Sequence, residues 1–370
     1  MRSRKPTTSG GGHTISEKRA YAYEVARDLF NTGSVELILL TGSVARGIAS
    51  DDSDVDLALF TRGKREPFIL TRQIRGTQVE SNIYNINRVA HGPATPLLSL
   101  QELREAGRFA TGELLFSRWE HFDQARASWL DALLYPEEVA RLLALANTYL
   151  DPARRDSCHC SADLVWMLQG AASALATLAL CLFPFRFQKP KWVIHDLREA
   201  NLSLLLENVK MLYFGAALDA EGTGRVLRTV KQQLLAGLRL GRLPLLALNK
   251  TTSDRYFYLY RTFCDARSLR RDKDFAGSAY TATYAIRLLN AMLQDPSTLP
   301  APVRKEEVDE WRRFAVEALI SLKGLDGDAL EKSRCELAQV GRELRQEYKR
   351  RFVKSQSFEV FPEGSWRSKD

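Results

Sequence analysis

The chain has 370 residues, enough for two or three domains, and 45% of them are hydrophobic, so substantial cores can be buried. Its 53 Lys and Arg outnumber 45 Asp and Glu, and the net charge of +8 either suits polyanionic partners such as nucleoside triphosphates or RNA, or marks only a basic soluble protein. Of the five cysteines, Cys158 and Cys160 form a C-x-C pair with no second Cys pair or paired His at zinc-site spacing, which speaks against a structural metal and for free thiols in a reducing cytoplasm.

In chain order, residues 1–14 are basic and rich in Gly, Ser and Thr. They lack the apolar stretch of a signal peptide and read as a disordered leader. Ile15–Asn31 carries Tyr21, Val25 and Leu29 at helical spacing, and Gly33 follows as a stop. Residues 35–40 form an apolar run suited to a buried strand, which Thr41-Gly42-Ser43 breaks; 44–48 can make a short helical turn. After turn-forming Ser50-Asp51-Asp52-Ser53, residues 55–60 read as a second strand split by Asp56. Residues 79–89 alternate polar and apolar and read as a third strand, and Glu113–Ser117 as a fourth.

Beyond Trp119 the strand signals fade, and helices are expected over 136–150, 161–183, 201–214, 222–240, 276–293, 305–322 and 328–349. Residues 164–183 hold no charge and are about long enough to span a bilayer. The stretch is nevertheless Ala-rich, contains Gln169, Gly170, Ser173 and Thr177, and is flanked by charged helical sequence, so it reads as a buried bundle helix and no membrane partner is expected. The expected class is α+β: a small mixed-sheet core over 15–130, an all-helical domain over 131–355, and a loosely ordered tail over 356–370.

One segment carries chemistry: Leu39-Leu40-Thr41-Gly42-Ser43-Val44-Ala45-Arg46-Gly47, then Ser53-Asp54-Val55-Asp56-Leu57. A strand ends in Gly-Ser, where glycine admits a close backbone approach and the start of a helical turn points N–H groups at an anion. Asp54 and Asp56 are two apart on a strand and so share a face. Two adjacent carboxylates repel unless a cation sits between them, and hard oxygen ligands suit Mg²⁺. A phosphate cradle beside a dicarboxylate metal site is what nucleotidyl transfer requires.

These two motifs at this spacing resemble the signature of the DNA polymerase β-like nucleotidyltransferase superfamily. The fuller string, G-S-x-A-R-G then S-D-x-D-L, resembles its aminoglycoside, lincosamide and minimal bacterial branches. The resemblance implies Mg²⁺ as cofactor, an NTP (ATP first) as co-substrate, and Gly42 and Ser43 at the phosphates. It also implies a third carboxylate on a later strand, for which Glu80 is the candidate as metal ligand or proton acceptor; Asp163 and Asp196 are alternative bases. Arg46 matches the family's turn arginine, either supporting the loop or touching phosphate. Phe185 to Trp192 resembles the aromatic, then Pro-Lys-Trp, segment that follows the first long helix in the antibiotic-type enzymes, and makes Lys191 a candidate phosphate contact. The helical domain is then expected to bind the acceptor and to wall the active site.

The expected reaction moves an NMP to a hydroxyl of a small molecule, antibiotic-like or a natural-product intermediate. A toxin–antitoxin-type enzyme acting on protein or tRNA is the alternative, and a homodimer stays open. Arg154 and His159 fit an R-x4-H string of ribonucleases but sit in Pro- and Asp-rich sequence, and read as a loop. No Gly-x-Ser-x-Gly elbow supports a serine hydrolase. The run Arg255-Tyr256-Phe257-Tyr258-Leu259-Tyr260 suits a helix core, or an aromatic pocket for a cationic acceptor.

Overall fold

The computed structural model describes residues 14–49, 53–63, 68–90, 93, 97–151, 161–182, 190–214, 219–243, 254–295, 297, 299–320 and 325–356. Outside these fall the leader up to residue 13, the Cys158/Cys160 pair, the Arg154–His159 string, Phe185 to Lys189 and the tail beyond Gln356. The chain divides into two compact units, one of residues 1–95 and 101–132, the other of 96–100 and 133–370.

The first unit opens with α1 (Ile15–Asn31). Thr14, placed in the leader by sequence, is instead its N-cap. The Thr14 hydroxyl accepts from the Glu17 N–H at 3.2 Å while the Glu17 carboxylate accepts from the Thr14 N–H at 2.7 Å. There follow β1 (Leu37–Thr41), the single turn α2 (Gly42–Ala45), β2 (Val55–Thr61), β3 (Phe68–Ile74) and β4 (Thr77–Asn85). Two helices, α3 (Leu100–Thr111) and α4 (Phe122–Leu130), flank β6 (Glu113–Ser117). The five-stranded sheet has the order β3-β4-β2-β1-β6, mixed because β2 and β4 are parallel while the other pairs are antiparallel.

Strand alternation gives this sheet two different faces. Val55, Leu57, Leu59, Val79 and Ile83 join Ala22, Val25 and Ala26 of α1 in one buried cluster. The residues between them point the other way. On that second face Phe60 stacks on Tyr84 with centroids 5.4 Å apart and meets Phe109 of α3 edge-on at 5.6 Å. Phe109 in turn packs edge-on against Phe122 of α4 at 5.5 Å. The aromatic lid covers one end of the face; Asp54, Asp56 and Glu80 share its other end.

β3 was not expected. Its middle is polar, Thr71-Arg72-Gln73, and it lies at the edge of the sheet where such residues remain solvated. The hairpin that joins it to β4 has both central residues, Arg75 and Gly76, at positive φ (49° and 87°), the backbone twist that suits a two-residue hairpin loop.

The second unit contains the two-residue parallel strands β5 (Leu97–Leu98) and β7 (Leu133–Leu134), and its other described elements are helices. These are α5 (Pro136–Leu150), α6 (Ser161–Leu182), α7 (Val193–Glu199), α8 (Ser203–Phe214), α9 (Ala220–Leu240), α10 (Asp254–Arg271), α11 (Phe275–Gln294), α12 (Lys305–Ile320) and α13 (Gly327–Gln356). The fold class is therefore α+β with a C-terminal helical region, as expected. Among the described residues α6 is the helix long and apolar enough to cross a bilayer, and most of it is buried within the unit against α5, α8, α12 and α13. Its Gln169 side-chain N–H₂ donates to the Leu212 carbonyl at 2.9 Å and the Tyr213 hydroxyl donates to the Gln169 backbone carbonyl at 3.0 Å, while the buried side-chain Oε1 has no partner.

Candidate active site

Asp54 stands just before β2, Asp56 within it, and Glu80 within β4. The parallel register sets Asp56 directly beside Glu80, and Val55 beside Val79. Each of the three carboxylates offers one oxygen within 4.8 Å of the others, and all three side chains are part-buried. Two oxygens bound to one Mg²⁺ at about 2.1 Å lie about 3 Å apart when adjacent and about 4.2 Å apart when opposite. The triad therefore fits one hard cation with small side-chain adjustments, and its all-oxygen donors suit Mg²⁺ rather than a soft metal.

The Gly-Ser turn is built against this triad. Gly42 has φ of +71°, and a Cβ added there would lie 2.0 Å from Oδ2 of Asp56. Glycine is required twice over, for the left-handed backbone and for the space the carboxylate fills. Thr41 reinforces the joint by donating its hydroxyl to the Asp56 carbonyl at 3.3 Å. Ser43 is buried, 4% exposed, at the start of the α2 turn. Arg46 is half-buried and caps that turn, its N–H donating to the Gly42 carbonyl while the Gly47 N–H donates to that of Val44.

Lys18 was missed in the sequence. It lies on the buried stripe of α1 with Tyr21, Ala22, Val25 and Ala26, is 0% exposed, and donates Nζ to the Ser53 carbonyl at 2.8 Å. That bond ties α1 to the residue preceding Asp54. A lysine on an apolar helical stripe was the available signal, since a buried ammonium needs partners. Gln78 similarly steadies Glu80, donating its side-chain N–H₂ to Oε1.

Residues 23–93 match the family model described as a nucleotidyltransferase domain, a span that includes Gly42, Ser43, Arg46, Asp54, Asp56 and Glu80. The chain carries a polymerase β-like nucleotidyltransferase domain. Comparison with curated proteins finds no match. The nucleotidyltransferase domain implies an NTP substrate and a divalent metal, and a carboxylate cluster that could hold a metal ion is present.

The other candidates lie in the helical unit. Lys191 forms an ion pair with Asp265 at 3.1 Å and lies 5.7 Å from the ring centroid of Trp192. Asp163 pairs with Arg312 at 3.3 Å. Asp196 is fully buried near the start of α7. Of the Tyr-rich run, the backbone opens α10 and Leu259 is buried; the side chains of Arg255 to Tyr258 and of Tyr260 lie outside the described set.

Proposed function

We propose that this protein transfers an NMP from ATP or another NTP to a hydroxyl group of a small molecule, with Mg²⁺ bound by Asp54, Asp56 and Glu80. The observation that carries this reading is the carboxylate triad packed against the Gly42–Ser43 turn. The turn presents backbone N–H groups and the Ser43 hydroxyl to the triphosphate, and its glycine brings them next to the carboxylates. When bound, the cation neutralises the triphosphate and polarises the α-phosphorus. Asp54, Asp56 and one oxygen of Glu80 would hold it, and the other Glu80 oxygen takes the proton of the acceptor hydroxyl. The acceptor oxygen then bonds to the α-phosphorus, the bond to the β-phosphate oxygen breaks, and pyrophosphate leaves. Arg46 supports the turn. Lys191 can add its charge to the phosphates only by exchanging Asp265 for them.

The helical unit supplies acceptor recognition in this reading, and the resemblance to antibiotic-type enzymes makes hydroxylated natural products the first acceptors to try. The test uses α- and γ-labelled ATP with Mg²⁺, a panel of hydroxylated small molecules, total tRNA, and the protein alone. Label from the α position in a small molecule, with release of pyrophosphate, is the expected result. Label in tRNA or protein would replace the acceptor class, and transfer of the γ label would refute nucleotidyl transfer itself.

A further inference from the structure

The helical unit holds a cavity of about 640 Å³, open to solvent on one side and lined by α5, α6, α11 and α12, a volume typical of sites for small organic ligands. Nothing in the nucleotidyl-transfer chemistry uses it. Its walls are flat and polar at once: Tyr149, Trp166 and Tyr284 supply rings, and Arg287, Asn290 and Arg312 supply hydrogen-bonding groups. Gly170 makes room for one wall, because a Cβ there would come within 2.7 Å of the Tyr149 ring.

The charges in the cavity are unequally matched. Arg312 is neutralised by Asp163 at 3.3 Å and Asp309 at 3.0 Å. Arg287 has no such partner: among the described residues no carboxylate pairs with it. Its guanidinium stacks over Trp166 at 4.2 Å from the ring centroid and donates one N–H to the Trp166 carbonyl at 3.1 Å. The group is thus fixed in orientation while most of its donor edge remains available. One helical turn further on, Asn290 is 6% exposed, and its Oδ1 is buried with no hydrogen-bond partner. That oxygen is closed to solvent as it stands, so an entering donor meets it by rotation of the Asn290 side-chain amide, which would remove the cost of a buried acceptor without a donor.

We propose that this cavity binds a small aromatic carboxylate that also carries a hydroxyl or N–H donor. The carboxylate takes the guanidinium edge of Arg287 in a two-point bond, the ring lies among Trp166, Tyr149 and Tyr284, and the ligand's donor reaches Oδ1 of Asn290. One uncompensated cation suits a monoanion. A phosphate dianion would bring a second charge toward Asp163, which already lines the cavity. Arg287 and Asn290 are three residues apart on α11 and therefore share a face, so a single ring can address both.

The test uses the full chain without nucleotide or metal, so its outcome is independent of the transferase reading. The probes are 4-hydroxybenzoate, 3-hydroxybenzoate, benzoate, 4-hydroxybenzamide and phenyl phosphate, followed by calorimetry and by quenching of tryptophan fluorescence. At least one hydroxybenzoate should bind saturably, with benzoate and the amide each about tenfold weaker. Arg287→Met should weaken the hydroxybenzoate about tenfold or more and leave the amide unchanged; Arg287→Lys, which keeps the charge but not the fork, should fall between. Asn290→Ala should abolish the advantage of hydroxybenzoate over benzoate. The proposal is overturned if no hydroxybenzoate binds at millimolar concentration, if the amide or phenyl phosphate binds as tightly as the acid, or if neither Arg287 variant changes affinity.

Discussion

Asp54 and Asp56 are two like charges on one strand face, with Glu80 beside them across the β2–β4 pair. Their mutual repulsion opposes folding and a bound cation relieves it, so neutralising one should not harm the apo fold. Asp54→Asn and Asp56→Asn should each melt at or slightly above the wild-type temperature without metal, yet lose on the order of a hundredfold or more in transfer rate. Mg²⁺ with ATP should raise the melting temperature of wild type and leave both variants nearly unchanged; calorimetry decides. Gly42 tests the turn from the opposite side. Gly42→Ala pushes a methyl into the Asp56 carboxylate at a left-handed φ, so it should cost stability of roughly 1 kcal/mol or more and remove activity together. A Gly42→Ala protein with wild-type turnover would show that the turn does not pack on the triad during catalysis. Lys18→Met keeps most of the buried volume but drops the bond to the Ser53 carbonyl. Its expected effect is a loss of about 1–3 kcal/mol of stability, measured by urea unfolding.

At the scale of elements, the helical unit depends on hydroxyls that join its helices. The Tyr213 hydroxyl of α8 donates to the Gln169 carbonyl of α6, and complete burial pushes the phenol up to about 12. The folded pKa is raised above the usual value near 10, so the unfolded chain loses this proton first as pH climbs. The stabilisation is fully present below about pH 10 and is lost between there and about pH 12. Tyr348 of α13 behaves alike: it donates to the Leu134 carbonyl at 2.8 Å, and burial raises it to about 12. Stability should therefore fall steeply over that alkaline window. Tyr213→Phe should lower stability at neutral pH by about 1 kcal/mol while making the alkaline decline shallower, as followed by circular dichroism. An unchanged alkaline slope would mean that the hydroxyl is not buried in the folded protein.

At the scale of the whole molecule, the chain passes from the first unit into the second and back before leaving the sheet region for good. Leu97–Leu98, numbered among the nucleotidyltransferase elements, pair instead with Leu133–Leu134, and the Leu98 carbonyl also accepts from the Tyr135 N–H at 2.9 Å. A cut between residues 132 and 133 thus deprives the helical unit of one of its own strands. The fragment 133–370 should unfold at a lower urea midpoint than the same helices in the intact chain, and its β7 edge should be open to solvent and to self-association. Equal midpoints would show that the short ladder contributes nothing.

Sequence by itself determined the features whose cause is local. The break after β1, the same-face pair Asp54 and Asp56, the bounds of Glu113–Ser117 and Pro136–Leu150, and the helical character of the second unit follow from period and turn chemistry among near neighbours. Glu80 was legible as a strand carboxylate, but its place beside Asp56 follows from a parallel register that β3 and the α1 core enforce. Tertiary structure alone decided the rest. β3 is too polar to announce itself away from the sheet edge, and the burial of Lys18 depends on how α1 is rotated on the sheet. The cavity around Arg287 joins residues from four helices, and no local pattern records which of their faces meet. Periodicity tells each segment which side to bury; only packing between segments distant in sequence decides what that side is buried against.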